Sequence, residues 1–388
     1  MNKIFSRLIP KDSLRESNSL LGIDWILFLS TIPLLGAGLV TMNAFTGNSH
    51  FFGKQLISIA ISFTMFFILS RIDFRFLRSS FVTFSLYGGV CGILILLALI
   101  GGVTKGAQSW FDFGAFSFEP SDLAKLVLII VLAKYFSRRH IEIANIRHII
   151  VSGVYSFIIF FLIIIHPDFG SAILIFLIWL GMVLVSGISK KHLFLVFLVG
   201  AISFGGLWGF GFKEYQKNRI RTFVDPLSDI HGTGYNAYQS VIAVGSGQVV
   251  GKGVGYGTQS RLKFLPEYQT DFIFAAFAEE WGFIGILILF GCFAIVVWRI
   301  LANAVLGATN FEILYGIGVA IFFVIHFSVN VGMNIGLLPV TGTTLPFLSY
   351  GGTHLLTEFT ALGILMGMRR YRRNAHKDSI KNEFLGPQ

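Results

Sequence analysis

The chain has 388 residues, of which 54% are hydrophobic and only 13% are charged, and its formal net charge is +10. Because soluble domains carry roughly 25% charged residues, this composition excludes a water-soluble globular protein. The two cysteines, Cys91 and Cys292, both lie in apolar runs, which excludes a disulfide framework and a cysteine-based metal site. The basic residues flank the apolar runs and form no continuous stripe, so the charge does not indicate nucleic-acid binding.

Apolar runs recur along nearly the whole chain, and each is long enough to cross roughly 30 Å of hydrocarbon as a helix. The first run is too long for a signal peptide, so we expect it to stay attached. The predicted spans are 20–42, 55–71, 80–100, 121–137, 147–165, 169–187, 192–212, 271–299, 311–336 and 344–368. The sequence therefore predicts an all-α integral membrane protein, a polytopic bundle of about ten transmembrane helices, with tails at 1–19 and 369–388.

The positions of the basic residues predict the orientation. Lys and Arg concentrate in the N-terminal tail, in alternate loops and in the C-terminal tail, whereas the remaining short loops hold few. By the positive-inside rule both termini are on the cytoplasmic side of the cell membrane. One long segment, 213–270, then lies on the outer face between the seventh and eighth spans, and long ordered loops are usually functional.

This long loop contains a glycine-rich stretch, GKGVGYG at 251–257, that resembles a dinucleotide-binding fingerprint. No strand precedes it and its spacing does not fit a P-loop, so we reject nucleotide binding. Two interpretations stay open. The glycines bring backbone N–H groups close to a phosphate or sugar, or they form a tightly turning re-entrant loop.

Several charged residues lie at predicted membrane depth, where each costs about 2.5–3.5 kcal/mol on insertion scales. Asp122 and Lys125 are three residues apart and share a helix face, which predicts an ion pair. Either the pair binds substrate, or the two charges only neutralise each other. Asp168 follows Pro167 at a turn between two spans, and a helix N-cap is the alternative to a functional role for it.

The stretch LPEYQTDFIFAAFAEEWG at 265–282 places four carboxylates near the mouth of the eighth span. If the helix starts near Asp271, this residue lies at the outer water boundary and Glu279 lies about 12 Å deeper. Stabilisation by the helix dipole is the alternative for Asp271. For Glu279 and Glu280 the alternative is pairing with a basic residue of a neighbouring span. His326, four residues before Asn330, is most simply a core histidine.

These motifs resemble those of the SEDS family (shape, elongation, division and sporulation) of membrane proteins, across almost the whole chain and in order. The matching segments are GAQSWF at 106–111, EPSDLAK at 119–125, HPDFGSA at 166–172, RIRTFVDP at 219–226, GYNAYQSVIAVGSG at 234–247, GVGYGTQSRLKFLPEYQTDFIFAAFAEEWGFIG at 253–285 and NVGMNIGLLPVTGTTLPFLSYGG at 330–352. AEEWG and FFGKQ are more like the RodA branch than the FtsW branch. The chain departs from common family residues at Ser109, Asp122, His166, Thr344 and His354.

The resemblance implies a ten-helix peptidoglycan glycosyltransferase that polymerises lipid II on the outer leaflet for cell-wall elongation and rod shape. It also implies a class B penicillin-binding protein and the elongation machinery as partners. By resemblance, Asp271 matches the family's essential aspartate, and Asp122 with Lys125 matches its buried acidic and basic pair. The other candidate substrate-binding residues, from the matching motifs and the outer loop, are Trp110, Asp168, Arg219, Arg221, Gln239, Lys263, Glu267 and Glu279.

Forming a glycosidic bond from a diphosphate donor requires a base and cationic stabilisation of the leaving group. We assign the base to Asp271. The candidates for the cationic role are basic residues of the outer loop, among which arginine is best shaped for bidentate phosphate contacts: Arg219, Arg221, Lys252, Arg261 and Lys263. A divalent cation, Mg²⁺ or Mn²⁺, could share this work. Two alternative functions stay open at this stage, a lipid II flippase and a noncatalytic scaffold for the penicillin-binding protein.

Overall fold

The computed structural model describes residues 22–45, 50–100, 110–112, 117–137, 146–206, 208–209, 212, 214–225, 233–262, 264–265 and 267–385, with side chains up to residue 370. A long helix forms at each of the ten predicted spans. These are α1 (Trp25–Phe45), α2 (His50–Leu69), α3 (Ser80–Ile100), α4 (Pro120–Ser137), α5 (Ile146–Ile165), α6 (Phe169–Ser186), α7 (Lys190–Gly206), α11 (Ile273–Val305), α12 (Asn310–Asn334) and α13 (Gly352–Leu385). Three shorter helices lie among the described residues between α7 and α11: α8 (Glu214–Val224), α9 (Thr233–Ser246) and α10 (Thr258–Arg261).

Seven helices of the described residues are long and apolar enough to cross a membrane by themselves: α1, α2, α3, α5, α6, α11 and α12. The other three have identifiable reasons for falling short. Helix α4 carries Asp122, Lys125 and Lys134, α7 has only 17 residues, and the first turns of α13 contain polar residues, among them His354 and Glu358. The prediction of an all-helical polytopic membrane bundle is confirmed.

Several helix bounds differ from the prediction, and α13 continues past residue 368 to Leu385. Two further departures lie just ahead of α13 and of α4. The last span was predicted from residue 344 but begins at Gly352, because Pro346 lies in a turn and Phe347 has a positive φ of 63°. A two-stranded antiparallel hairpin, β1 (Phe111–Asp112) and β2 (Ser117–Phe118), precedes α4 and was not predicted. Strands of two residues leave too short an alternation to be read from a sequence.

Contacts among helix termini define two ends of the bundle. Ser349, before α13, bonds to Thr270, before α11, whereas Asp24, before α1, bonds to Arg299 near the end of α11. We call the end where α11 begins the loop end, the described residues of 214–272 the loop-end segment, and the end where α1 begins the opposite end. Most of the buried side chains are apolar and form one continuous core, with a satellite cluster around Ala243, Leu265 and Phe272 beneath the loop-end segment. The loop-end segment therefore packs as part of the fold.

The glycine-rich stretch of the loop-end segment packs against a kink in α11. At Gly282 the helix backbone turns to φ 64°, and a Cβ there would lie 2.2 Å from the nitrogen of Gly251. Main-chain hydrogen bonds join the two segments, from Phe283 N to Gln248 O at 2.9 Å and from Lys252 N to Glu279 O at 2.9 Å. Glycine therefore allows backbone to approach backbone here, as the interpretation of a tightly turning loop predicted.

A cluster of charged and polar side chains joins three helix ends at the opposite end. Asp24 precedes α1, and its Oδ2 accepts hydrogen bonds from Arg299 Nε at 2.9 Å and Asn303 Nδ2 at 2.8 Å, both on α11. Arg369 of α13 lies 3.2 Å from the same oxygen, and Oδ1 accepts from Leu27 N at 3.2 Å. We call Asp24, Arg299, Asn303 and Arg369 the opposite-end cluster.

Candidate active site

Asp271 lies in the turn that leads into α11, two residues before the helix begins at Ile273. Its main-chain carbonyl accepts hydrogen bonds from Asn330 Nδ2 and Asn334 Nδ2, both at 3.0 Å. Its carboxylate lies over Gly342, where a Cβ built on the glycine would be 3.5 Å from Asp271 Oδ2. The prediction that Asp271 lies at the mouth of this span is therefore confirmed.

The turn around Asp271 is held by the segment between α12 and α13. Ser349 Oγ donates to Thr270 O at 2.7 Å, and Tyr350 N donates to Gln269 O at 2.8 Å. From the other side, Asn330 Nδ2 donates to Thr343 O at 2.6 Å. Hydrogen bonds thus join residues 269–270, which precede the aspartate, to the segment 341–350, which packs beside it.

The structure separates two of the arginines that were predicted to bind diphosphate. Arg219 Nη1 donates to Thr341 O at 3.3 Å, next to the glycine over which the Asp271 carboxylate lies. Arg221 is exposed and donates to Glu214 Oε2 at 3.4 Å and Asn218 Oδ1 at 3.2 Å. Because residues two apart on a helix point about 200° apart, only Arg219 faces the segment beside Asp271. Lys263 lies outside the described residues.

The predicted ion pair between Asp122 and Lys125 is confirmed, with Lys125 Nζ donating to Asp122 Oδ1 at 2.8 Å inside the bundle. Two residues of α13 that were not predicted extend it. His354 Nδ1 lies 3.2 Å from Asp122 Oδ1, and His354 Nε2 lies 3.0 Å from Glu358 Oε1. His326 stacks on His354 with ring centroids 4.8 Å apart. His326 is accordingly a core histidine packed against this charged group.

Glu119 links the hairpin to the helices and was absent from the predicted set. Trp110 Nε1 donates to Glu119 Oε2 at 3.0 Å, and Ser121 Oγ donates to Oε1 at 2.5 Å. Its main-chain N–H donates to Thr353 Oγ1 at 3.2 Å. Burial, together with the nearby Asp122 carboxylate, raises the pKa of Glu119 to about 7. Trp110 therefore connects to the site through Glu119.

Asp168 caps the helix that follows it, as the structural alternative predicted. Its Oδ1 accepts a hydrogen bond from Ser171 N at 3.0 Å at the start of α6. The same turn contacts the segment beside Asp271, because a Cβ on Gly170 would lie 2.3 Å from Thr341 O. Asp168 thus lies beside the site, with its carboxylate capping α6.

The deeper carboxylate Glu279 is fully buried and binds the glycine-rich stretch. Its Oε1 accepts from Lys252 Nζ at 2.7 Å, Thr258 Oγ1 at 3.1 Å and Gln259 N at 3.1 Å. Glu280 Oε1 accepts from Gly255 N at 2.6 Å. The predicted basic partner therefore exists, but it comes from the loop-end segment and not from a neighbouring span. Of the two interpretations of the glycine-rich stretch, these contacts favour the tightly turning loop, because the Gly255 N–H binds a carboxylate of the protein.

Glu267 and Gln239 flank the site at greater distance. Glu267 has a positive φ of 53°, and its carbonyl accepts from Thr270 N at 3.1 Å and Phe272 N at 3.2 Å, which shapes the turn before α11. Gln239 precedes Ser240 on α9, and Ser240 Oγ donates to Asn334 O at 2.9 Å. Glu267 thus borders the turn of Asp271, whereas Gln239 is linked to it only through the contact of the adjacent Ser240 with Asn334.

The geometry supplies a carboxylate and an arginine around one segment of main chain, at the boundary of a membrane bundle. Such a pair can accept a proton from a hydroxyl and stabilise a leaving anion. Within the described ranges no three His, Cys, Asp or Glu side chains lie together as a metal site. Mg²⁺ is usually bound through one or two carboxylates plus substrate phosphates, so Asp271 with a substrate diphosphate is the donor set that fits a divalent cation here.

Comparison with known proteins identifies the family. The family described as "Cell cycle protein", which comprises FtsW, RodA and SpoVE, matches residues 18–374. The chain is 36% identical over 285 residues to peptidoglycan glycosyltransferase MrdB of Escherichia coli K12, covering 74% of this chain and 77% of the relative. It is 36% identical over 370 residues to stage V sporulation protein E of Bacillus subtilis, covering 90% and 98%.

Solved structures agree. A chain from a peptidoglycan synthase complex, described as coordinating polymerization and crosslinking, superposes with a TM-score of 0.78 at 26% identity, covering 91% of this chain and 99% of that one. The rod shape determining protein RodA of Thermus thermophilus superposes with a TM-score of 0.68 at 26% identity, covering 90% and 97%. With a family match over nearly its whole length and these relatives, the chain belongs to the FtsW, RodA and SpoVE family, the SEDS proteins.

Proposed function

We propose that this chain is a peptidoglycan glycosyltransferase that extends glycan strands from lipid II. The observation that carries the proposal is the position of Asp271, whose backbone is fixed at the mouth of α11 while its carboxylate lies beside the segment that Arg219 contacts. The name of the relative MrdB, peptidoglycan glycosyltransferase, supports the same reaction. A substrate with a sugar head in water and an isoprenoid tail in lipid suits a site at this boundary.

The proposed reaction transfers the growing glycan from undecaprenyl diphosphate to lipid II. The 4-hydroxyl of the acceptor sugar attacks the anomeric carbon of the growing strand, and the bond from that carbon to the diphosphate oxygen breaks. Asp271 takes the hydroxyl proton, and the electron pair of the broken bond leaves with undecaprenyl diphosphate. A positioned general base contributes roughly 10²–10⁴ to the rate.

Arg219 is the residue that we assign to the leaving diphosphate. Its guanidinium offers several donors in a fixed fork that matches phosphate oxygens, and one donor already bonds to Thr341 O beside Asp271. Arg221 points away and is not assigned this role. A bound Mg²⁺ or Mn²⁺ would add positive charge at the diphosphate, and Asp271 is the protein carboxylate that would hold it.

The cellular setting is part of the proposal. The positive-inside rule places both termini in the cytoplasm and the loop end outside, where the reaction would take place. We propose a class B penicillin-binding protein as the crosslinking partner, supported by the similarity to a chain of a peptidoglycan synthase complex. We also propose a role in cell-wall elongation and rod shape, supported by the similarity to RodA.

The test is polymerisation of labelled lipid II by the purified chain with its cognate penicillin-binding protein, in liposomes. Long glycan strands that vanish when Asp271 is changed to Asn would support the proposal. If the wild type makes no polymer while a known polymerase does so in the same assay, the glycosyltransferase proposal fails. Lipid II that becomes accessible from both leaflets in those vesicles would then indicate a flippase.

A further inference from the structure

Two asparagines on one face of α12 converge on the main chain of Asp271. Asn330 and Asn334 are four residues apart and both have 0% exposed surface. Each donates its amide N–H to the carbonyl of Asp271 at 3.0 Å. Asn334 Nδ2 also donates to Asn330 Oδ1 at 3.2 Å, which ties the two side chains into one network.

Asn334 also caps the first turn of α11 from another helix. The residue at the N-cap position of α11, Phe272, makes no side-chain capping bond. Instead, Asn334 Oδ1 accepts from Ala275 N at 3.3 Å, and it accepts from Ser240 Oγ at 3.1 Å. Because the first N–H groups of a helix lack partners within it, this bond fixes where α11 begins relative to α12 and α9.

Asn330 connects the aspartate to the segment that Arg219 contacts. The same Nδ2 that donates to Asp271 O donates to Thr343 O at 2.6 Å, and Arg219 Nη1 donates two residues earlier, to Thr341 O at 3.3 Å. The buried amide of Asn330 therefore bonds to the main chain of the proposed base, Asp271, and to the segment that the proposed cation, Arg219, contacts. A shift of this amide would move the base relative to the cation.

We propose that Asn330 and Asn334 are positioning residues, which set the place of the Asp271 carboxylate relative to Arg219 without touching the reacting atoms. The inference rests on the proposed function, because it concerns the geometry of that reaction. A misplacement of about 1 Å at a reacting group can lower a rate about 100-fold. The loss should fall on kcat, because the groups that bind the lipid-linked substrate keep their identity.

Alanine variants of both asparagines test this inference against a matched control. Asn303 of the opposite-end cluster is also a buried amide on a long helix, and it donates to Asp24 Oδ2 at 2.8 Å. Asn303→Ala therefore removes a comparable buried hydrogen bond far from Asp271. Asn334→Asp is the second variant, because it keeps the shape and the acceptor for Ala275 N but loses the donor to Asp271 O, and its charge suits a helix N-terminus.

Two measurements on the full chain with its partner in liposomes distinguish the outcomes. The first is kcat and KM for labelled lipid II, and the second is hydrogen exchange of 267–276, which needs no activity. We expect Asn330→Ala, Asn334→Ala and Asn334→Asp to lose kcat about 10-fold to 100-fold, with KM within about threefold and faster exchange in 267–276. We expect Asn303→Ala to change neither kcat nor exchange there, although its melting temperature falls.

Other results would overturn the inference. It fails if kcat in the asparagine variants falls no further than in Asn303→Ala, or if KM rises while kcat is unchanged. It also fails if exchange of 267–276 is unchanged, since the amides then do not hold the turn. A wild type that makes no polymer would contradict the proposed function instead, and the exchange result would still decide whether the two amides hold the turn.

Discussion

The two ends of this bundle bury polar side chains in different ways. In the opposite-end cluster, the carboxylate of Asp24 itself takes the hydrogen bonds, from Arg299 and Asn303, and Arg369 adds its charge. At the loop end, the buried amides of Asn330 and Asn334 bind the main-chain carbonyl of Asp271, and the carboxylate lies over Gly342. At the opposite end, basic partners neutralise the carboxylate of Asp24. At the loop end, hydrogen bonds fix the main chain of Asp271, which carries a carboxylate.

This difference indicates which charged residues stabilise the fold and which perform chemistry. A carboxylate whose oxygens are occupied by arginine and amide donors locks helix ends together. A carboxylate whose main chain is fixed by buried amides keeps a defined place at a boundary where substrate can reach it. On this comparison we assign a structural role to Asp24 and Glu279, and we keep Asp271 as the proposed reacting carboxylate.

Removing the Asp24 carboxylate should have the largest effect on stability. Asp24→Ala leaves Arg299 buried without its acceptor, and breaking a buried ion pair on one side destabilises by about 3–5 kcal/mol. Thermal unfolding in detergent measures the loss. Asp73→Ala is the control, because Asp73 pairs with Arg75 at the surface, where such pairs contribute about 0–1 kcal/mol. Equal melting temperatures for the two variants would contradict the structural role of the cluster.

Glu279→Gln should release the glycine-rich stretch from α11. The change leaves Lys252 and the Gln259 N–H without their anionic acceptor, at a cost of about 1–3 kcal/mol. Limited proteolysis should then cut within 246–262 faster than in the wild type. Glu214→Gln in the same segment, where the carboxylate is largely exposed, should not change the cleavage rate. If both variants resist cleavage equally, Glu279 does not hold this segment.

The two arginines of α8 should differ in their effect on polymerisation. Arg219→Lys removes the fork that we assign to the diphosphate, and one lost hydrogen bond to a charged group is worth about 1.5 kcal/mol, or roughly tenfold in rate. Arg221→Lys should leave the rate within about twofold, since this side chain faces Glu214 and Asn218. Initial rates with labelled lipid II measure both. A larger loss in Arg221→Lys would reverse the assignment.

Glu119 should make the stability of the fold depend on pH. Burial and the Asp122 charge raise its pKa from 4.5 to about 7. A carboxyl with a raised pKa in the folded state favours folding when protonated, so its contribution is present below pH 4.5 and is lost as pH rises towards 7. The melting temperature of the wild type should therefore fall between pH 5 and about 8 by more than that of Glu119→Gln. Parallel curves would contradict the assignment.

The sequence predicted the helices well because a long apolar run allows few other structures in a membrane. The ends of helices were harder to predict. The last span was placed eight residues too early, since the apolar run 344–351 continues into α13 without a change in composition, and only the turn at Pro346 and Phe347 separates them. The hairpin of two-residue strands left no pattern at all.

The candidate site was predictable in part. The pair of Asp122 with Lys125 was marked by charges placed where charges are costly, whereas Asp271 was marked by the family resemblance and Arg219 by its place in the long outer loop. The residues that hold them were not, because their partners are distant in sequence. Asn330 lies 59 residues from Asp271, and His354 lies 232 residues from Asp122. The available signal was a spacing of four residues, in Asn330 to Asn334 and in His354 to Glu358. This spacing indicates that two residues share a helix face, but it does not identify the distant residues that the face contacts.

The central claim is that Asp271 is the reacting carboxylate. It is tested most directly by the rate of lipid II polymerisation in Asp271→Asn, measured together with the melting temperature of the same sample. Because the hydrogen bonds of Asn330 and Asn334 go to the main chain, they survive this change. We predict that the rate falls about 10²–10⁴-fold while the melting temperature stays at the wild-type value. A variant that polymerises lipid II at the wild-type rate would contradict the account.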